Sequence, residues 1–293
     1  MRFRKGAKLD RSQVGDYRGR RMGGGPIALG GGGGIVTLII IVAIVLLGGN
    51  PFGDGGPGGL GDLAGQSAGG GPPAATLEHC QTGEDANQYE DCRILAVVNS
   101  VQSYWETAVR NYDPAQTIFF EDAVNTGCGQ ASSAVGPFYC PLDRKIYIDL
   151  GFFQELESQF GASVGPLAQS YVIAHEYGHH VQNLLGTLDR ANSRDTGPQS
   201  AAVRVELQAD CYAGVWVGNA MRTGFVEEIT RNDLQEALGA AQAIGDDRIQ
   251  ERTQGRVTPE NWTHGSAEQR QSWLARGIDG KSPNSCDTFS GRV

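Results

Sequence analysis

The stretch Tyr171-Val-Ile-Ala-His175-Glu176-Tyr-Gly-His179-His180 sets the strongest condition on how this chain folds. Leu167, Tyr171, Val172 and Ala174 lead into it and Val181, Leu184 and Leu185 follow, an apolar pattern at helical spacing. Gly186 supplies the stop. A buried helix that carries two histidines and a glutamate needs something to satisfy them, because unpaired polar groups are costly in an apolar interior. His175 and His179 lie four residues apart on one helical face, so both imidazoles can converge on a single Zn²⁺ at about 2.0–2.1 Å. Glu176 then stands beside the ion, placed to take a proton from a metal-activated water. Three fixed residues alone occur by chance in roughly one chain in a hundred, so the rest of the chain must confirm the motif.

A catalytic zinc site has three protein ligands and one open position. The pattern with a third histidine downstream fails, since Gln182 and Leu185 occupy the positions of its glycine and histidine. A carboxylate pattern fits instead, in Val203-Arg-Val-Glu206-Leu-Gln-Ala-Asp210-Cys. Glu206 and Asp210 share a helical face, so Glu206 can reach the metal while Asp210 accepts the outer N–H of a ligating histidine. Carboxylates at this spacing usually mark a solvated face. Val203, Val205, Ala209, Ala213, Val215 and Trp216 instead make this helix apolar around much of its circumference.

Three further histidines need a reading. His180 is rotated about 100° from His179, so it points away from the pair and reads as a polar contact at the helix edge. His79 adjoins Cys80, has no partner pattern, and reads as structural. His264 precedes a helix opened by Ser266. It is either a surface histidine at a helix N-terminus or the donor that stabilises an oxyanion during attack on a carbonyl.

The segments His175-Glu176-Tyr-Gly-His179-His180-Val-Gln, Glu206-Leu-Gln-Ala-Asp210 and Thr263-His264-Gly265-Ser266 to Arg270 together resemble the bacterial neutral zinc metallopeptidases. That family is similar to the gluzincins, whose HExxH and Glu-x-x-x-Asp helices hold the metal. The resemblance covers roughly Cys80 to the C-terminus, together with an anchored N-terminal layout. It implies a zincin-like fold, one Zn²⁺ per chain on His175, His179 and Glu206, and a peptidase site. It names no substrate.

The 293 residues carry a net charge of −9, unevenly spread. Residues 1–26 hold eight basic and two acidic side chains, +6, which leaves about −15 for the remainder and disfavours nucleic-acid partners. A basic start followed by the uncharged, Ile- and Val-rich segment 27–49 is a membrane signature, long enough to cross about 30 Å of hydrocarbon. The expected layout is a cytoplasmic tail (1–26), a single transmembrane anchor (27–49), a Gly/Pro-rich linker (50–74) and an extracytoplasmic domain (75–293). A cleaved signal peptide is the rival, but Gly48-Gly49-Asn50-Pro51 offers no good cleavage site.

Six cysteines, Cys80, Cys92, Cys128, Cys140, Cys211 and Cys286, all fall in the expected domain, which fits an oxidising compartment. Spacing favours Cys80–Cys92 and Cys128–Cys140, leaving Cys211–Cys286, among about fifteen connectivities. The coarse pattern is α+β, mostly helical with a small sheet. Strands are expected near 117–121, 136–139 and 145–149, and helices near 87–109, 152–159, 164–185, 199–222, 231–244 and 266–275. Loops at 186–198 and 248–260 would flank the cleft.

The function expected is a membrane-anchored zinc peptidase acting on peptide or protein substrates, with Glu176 and His264 in catalysis and Asp210 orienting a ligand. The strand ending at Tyr147-Ile148-Asp149 is a candidate to pair with an extended substrate. Two alternatives stand: a catalytically silent zincin-fold binding domain at the cell surface, or a zinc amidase acting on cell-wall material.

Overall fold

The computed structural model describes residues 1–19, 77–160, 165–191 and 195–293. The chain enters the fold as β1 (Arg2–Phe3) and β2 (Val14–Asp16), followed among the described residues by α1 (Gly83–Gln88) and α2 (Glu90–Ala108). Five strands come next: β3 (Gln116–Phe120), β4 (Ala123–Thr126), β5 (Gly129–Ser132), β6 (Phe138–Cys140) and β7 (Lys145–Asp149). Then come α3 (Gly151–Phe160), α4 (Pro166–Leu184), α5 (Ala201–Asn219), β8 (Val226–Glu228), α6 (Arg231–Ala243), α7 (Asp246–Gln254) and α8 (Ala267–Gly280). Helices joined to a small sheet make the fold α+β, as the pattern predicts.

The main sheet has the order β2-β3-β7-β6. β2, β3 and β7 run parallel and β6 runs antiparallel along the edge. Thr-Ile-Phe-Phe in β3 and Ile-Tyr-Ile-Asp in β7 are buried on both faces, as β-branched and aromatic residues are in interior strands. β7 lies between β3 and β6, so it has no free edge for a substrate. The edge strands of this sheet are β2 and β6.

The two site helices belong to the core. Pro166 in the first turn opens α4, where a missing N–H costs nothing. Ser200 caps α5 by accepting from the N–H of Val203. Tyr177 on α4 ties the helix to β3 through Thr117 Oγ1 at 2.9 Å. α8 packs against α5 at backbone distance: Gly214 and Gly277 face the opposite helix, and a Cβ on either would collide with its main chain. The disulfides are Cys80–Cys92, Cys128–Cys140 and Cys211–Cys286, as the spacing suggests. α7 overlaps the segment 248–260 expected as a loop. Its Asp-Asp-Arg-Ile-Gln-Glu-Arg-Thr-Gln sequence offers one apolar residue, Ile249, too few for a periodic signal.

The N-terminal residues correct the expected topology. β1 pairs with β8, and β2 extends the main sheet beside β3. Phe3 is buried in the same core as Trp105 and Trp216. The Leu9 N–H donates to the carbonyl of Gln81, and Asn99 exchanges hydrogen bonds with the main chain of Asp10. Residues that share one sheet and one core cannot lie on opposite faces of a membrane. The cytoplasmic tail and extracytoplasmic domain of the expected localisation are therefore one body. Among the described residues no helix is long and apolar enough to cross a membrane. The anchor (27–49) and linker (50–74) of that reading lie outside the described residues. Arg18, counted as part of a topogenic charge cluster, instead bonds Asp16 at 2.6 Å and Asp91 at 3.1 Å.

Candidate metal centre

α4 carries His175, Glu176 and His179, and α5 carries Glu206 and Asp210. All five are buried. The two Nε2 atoms lie 3.1 Å apart. Glu206 Oε2 is 3.3 Å from His175 Nε2, and Oε1 is 3.5 Å from His179 Nε2. Donors bound tetrahedrally to Zn²⁺ at about 2.05 Å stand about 3.3–3.4 Å from one another, so these separations fit the ion. Glu206 Oε1 and Glu176 Oε2 are buried with no hydrogen-bond partner, as groups awaiting a cation and a reactant would be. Two imidazoles and one carboxylate are a borderline-soft donor set that suits zinc.

The charge balance points the same way. Asp210 is neutralised by Arg270, whose Nε lies 2.9 Å from Oδ2. Among the described residues Glu206 has no arginine or lysine partner in an ion pair. Burial pushes Glu206 up, but the imidazoles of His179, His264 and His175 hold it below the usual carboxylate range. At His175 burial opposes a positive charge, yet Asp210 and Glu206 outweigh it and raise the ring to about 10. The same two carboxylates favour any cation at that nitrogen. Burial lowers His179 to about 4, so its ring is neutral, the form that binds a metal. Glu176 is pushed up to about 7, chiefly by burial, with His175 opposing.

Both histidines are oriented from behind. His175 Nδ1 lies 2.8 Å from Asp210 Oδ1, which also accepts from the Tyr171 hydroxyl at 2.6 Å and Arg270 Nη2 at 3.0 Å. An ionised Asp210 only accepts, so Nδ1 keeps its proton and Nε2 is the nitrogen that can give up its own to a metal ion. His179 Nδ1 lies 2.9 Å from Gln182 Oε1, and Gln182 Nε2 donates to the Val205 carbonyl at 2.7 Å and to Gln208 at 3.1 Å. Glu206 and Asp210 thus fall where the helical spacing puts them. Tyr171, Gln182 and Arg270 were not given roles by sequence reasoning. Gln182, three residues after His179, was legible as a helical neighbour, whereas Arg270, sixty residues after Asp210, was not.

His264 is buried beside this group, not on the surface. Asp246 Oδ2 accepts the N–H groups of Thr263, His264 and Gly265 at 2.8, 2.8 and 3.1 Å. That turns the loop inward, with Gly265 at a φ of +91°. His264 Nδ1 lies 2.8 Å from Thr263 Oγ1. His180 differs from its expected place at the helix edge: it is fully buried, bonded to Tyr139 and to the Asp113 carbonyl. His79 keeps a structural place, 3.2 Å from Asp91. The grouping His79, Cys80, Asp91 and Cys92 has its two sulfurs joined in a disulfide, which removes them as thiolate ligands.

A family model described as "Putative neutral zinc metallopeptidase" matches residues 1–289, a span that includes the N-terminal strands. The uncharacterised protein Rv2575 of Mycobacterium tuberculosis is 52% identical over 225 residues, covering 74% of this chain and 77% of its own length. The uncharacterised protein YpfJ of Escherichia coli K12 is 42% identical over 211 residues, covering 70% of this chain and 72% of its own. No solved structure matches the chain. With HExxH and the Glu206 helix converging on one buried group, and the match running nearly end to end, this chain belongs to the neutral zinc metallopeptidase family.

Proposed function

We propose that this protein is a zinc-dependent endopeptidase. The observation that carries the reading is the convergence of His175, His179 and Glu206 beside a buried Glu176 whose Oε2 has no partner. Zn²⁺ held by those three residues would supply a Lewis acid that activates water and polarises a carbonyl. Glu176 takes the proton from the attacking water and returns it to the leaving amine. His264, whose Nδ1 lies against the Thr263 hydroxyl and the Asp246 carboxylate, would use Nε2–H to stabilise the carbonyl oxygen as it gains charge. The free edge of β6 offers main-chain groups to an extended peptide. A mixed sheet with an antiparallel edge strand, set against an HExxH helix and a glutamate helix, supports a zincin-like fold. The substrate class is peptide or protein, and the acidic bulk of the chain does not suit nucleic acid.

Zinc analysis and a diverse peptide pool, with and without chelator, test the reading. The protein should hold one zinc and cleave peptides, and chelation should stop it. Glu176→Gln should keep the zinc while hydrolysis falls about 10²- to 10⁴-fold. Cleavage by Glu176→Gln at the parent rate would remove Glu176 from the mechanism. Zinc without any peptide hydrolysis would favour the silent binding domain, or a zinc amidase if cell-wall amides were cut instead.

A further inference from the structure

Two main-chain carbonyls dictate which nitrogen of His179 is protonated, and they do so through a pair of buried glutamines. Cys286 lies past the end of α8, and its carbonyl accepts from Gln208 Nε2 on α5 at 3.0 Å. A carbonyl only accepts, so the Gln208 amide stands with its nitrogen toward Cys286 and its oxygen toward α4. That oxygen accepts from Gln182 Nε2 at 3.1 Å, and the Val205 carbonyl accepts from the same nitrogen at 2.7 Å. Both hydrogens of the Gln182 amide are thereby spent. Its oxygen faces His179 Nδ1 at 2.9 Å and can only accept there. Nδ1 therefore carries the proton of the neutral ring, and Nε2 is the nitrogen without one. All three side chains are buried. Reversing either amide would set N–H against N–H or oxygen against carbonyl, which is costly away from water.

We propose that Gln208 and the Cys211–Cys286 disulfide position the metal ligand His179: they fix the Gln182 amide, which holds His179 in the tautomer that offers Nε2 to the metal. This rests on the reading of His179 as a zinc ligand. His175 has its tautomer set by a charged group, Asp210. His179 has only neutral amides behind it, so its order depends on where their chain is anchored. The anchor is firm. Cys286 is bonded to Cys211, three residues after Gln208 on α5, so the disulfide and the glutamine leave neighbouring positions of one helical face. Arg204, one turn before Gln208, donates to the Thr288 carbonyl, and Thr288 Oγ1 donates to the Arg204 carbonyl at 2.7 Å. The segment that carries the Cys286 carbonyl is thus tied to α5 at two points. A covalent bond between residues 75 apart thereby reaches a metal ligand through three hydrogen bonds.

Gln208→Met keeps the length of the side chain and removes both polar ends. It is compared on the full chain with Gln182→Met, with the two combined, and with Cys211→Ala plus Cys286→Ala. The readouts are the zinc Kd by chelator competition, the ring-nitrogen NMR shifts of the metal-free protein, and Tm. The metal-free parent should show His179 protonated at Nδ1. Gln182→Met should lose that preference and weaken zinc about 10- to 100-fold. Gln208→Met and the disulfide-free variant, one step further out, should each weaken it about three- to tenfold. Adding Gln208→Met to Gln182→Met should lower Tm but leave Kd where Gln182→Met put it, because Gln208 acts through that amide. Should the disulfide-free variant fail to fold, the two glutamine variants carry the test. Parental Kd in Gln208→Met, the same fold-loss in both backgrounds, or a parent His179 protonated at Nε2 overturns the positioning role alone. A parent that takes up no zinc overturns the reading of His179 as a ligand, and this role with it. Peptide cleavage enters none of these readouts, so a failure of the peptidase reading would register separately.

Discussion

The carboxylate of Asp210 lies 2.8 Å from His175 Nδ1, and the same group is held from behind by Arg270. One buried side chain thus fixes the tautomer of a proposed ligand and neutralises a buried guanidinium. Asp210→Asn should weaken zinc about 10- to 100-fold in chelator competition. It should also cost about 3–5 kcal/mol of folding stability, because Arg270 is left buried and uncompensated. Adding Arg270→Met should recover stability but not zinc affinity. Recovery of both would mean that Asp210 serves only the ion pair.

Phe3 is 1% exposed and packed in the core. Phe3→Ala should lower the unfolding free energy by about 3–5 kcal/mol, as for a core phenylalanine. A urea midpoint unchanged from the parent would return residues 1–19 to the status of a loose tail.

Gly277 and Gly214 let α8 and α5 meet at the backbone, which brings Arg270 onto Asp210. Gly277→Ala should separate the helices, cost about 1–3 kcal/mol, and weaken zinc as well. A variant less stable but with parental zinc affinity would show that the close approach serves packing only.

Asp246 is held below the usual carboxylate range: burial acts against it, but the His264 ring and the loop N–H groups outweigh the cost. A carboxylate whose folded value is depressed stabilises above its unfolded value, about pH 4, and loses that contribution as pH falls further. Asp246→Asn should therefore be clearly less stable than the parent at pH 7, with the gap narrowing toward pH 3. A gap that stayed constant over that range would mean the carboxylate charge contributes nothing there.

What the sequence disclosed was whatever one helix could express on its own. His175 and His179, Glu206 and Asp210, and the apolar stripes around them are periodic signals within about twenty residues. β7 and the helix at Arg231–Ala243 were legible for the same reason, the latter with a Thr230 and Asp233 capping box. Groups placed by tertiary contact were not legible. Arg270 meets Asp210 from sixty residues away, and Asp246 turns His264 inward from eighteen. The N-terminal residues misled most, because strands of two and three residues carry no periodicity. Their arginines, read as a membrane address, include Arg18, which serves Asp16 and Asp91 in the fold.

The pairing of Arg2 with Glu228 also bears on how the molecule comes to be made. Synthesis runs from the amino end, so β1 leaves the ribosome more than 200 residues ahead of the strand it joins. β2 likewise waits about 100 residues for Thr117, its partner in β3. Such distant partners delay closure and slow folding, since a long loop must be ordered before its contacts form. Phe3 is therefore without its partner strand through most of translation, an apolar side chain that native contacts do not yet shield.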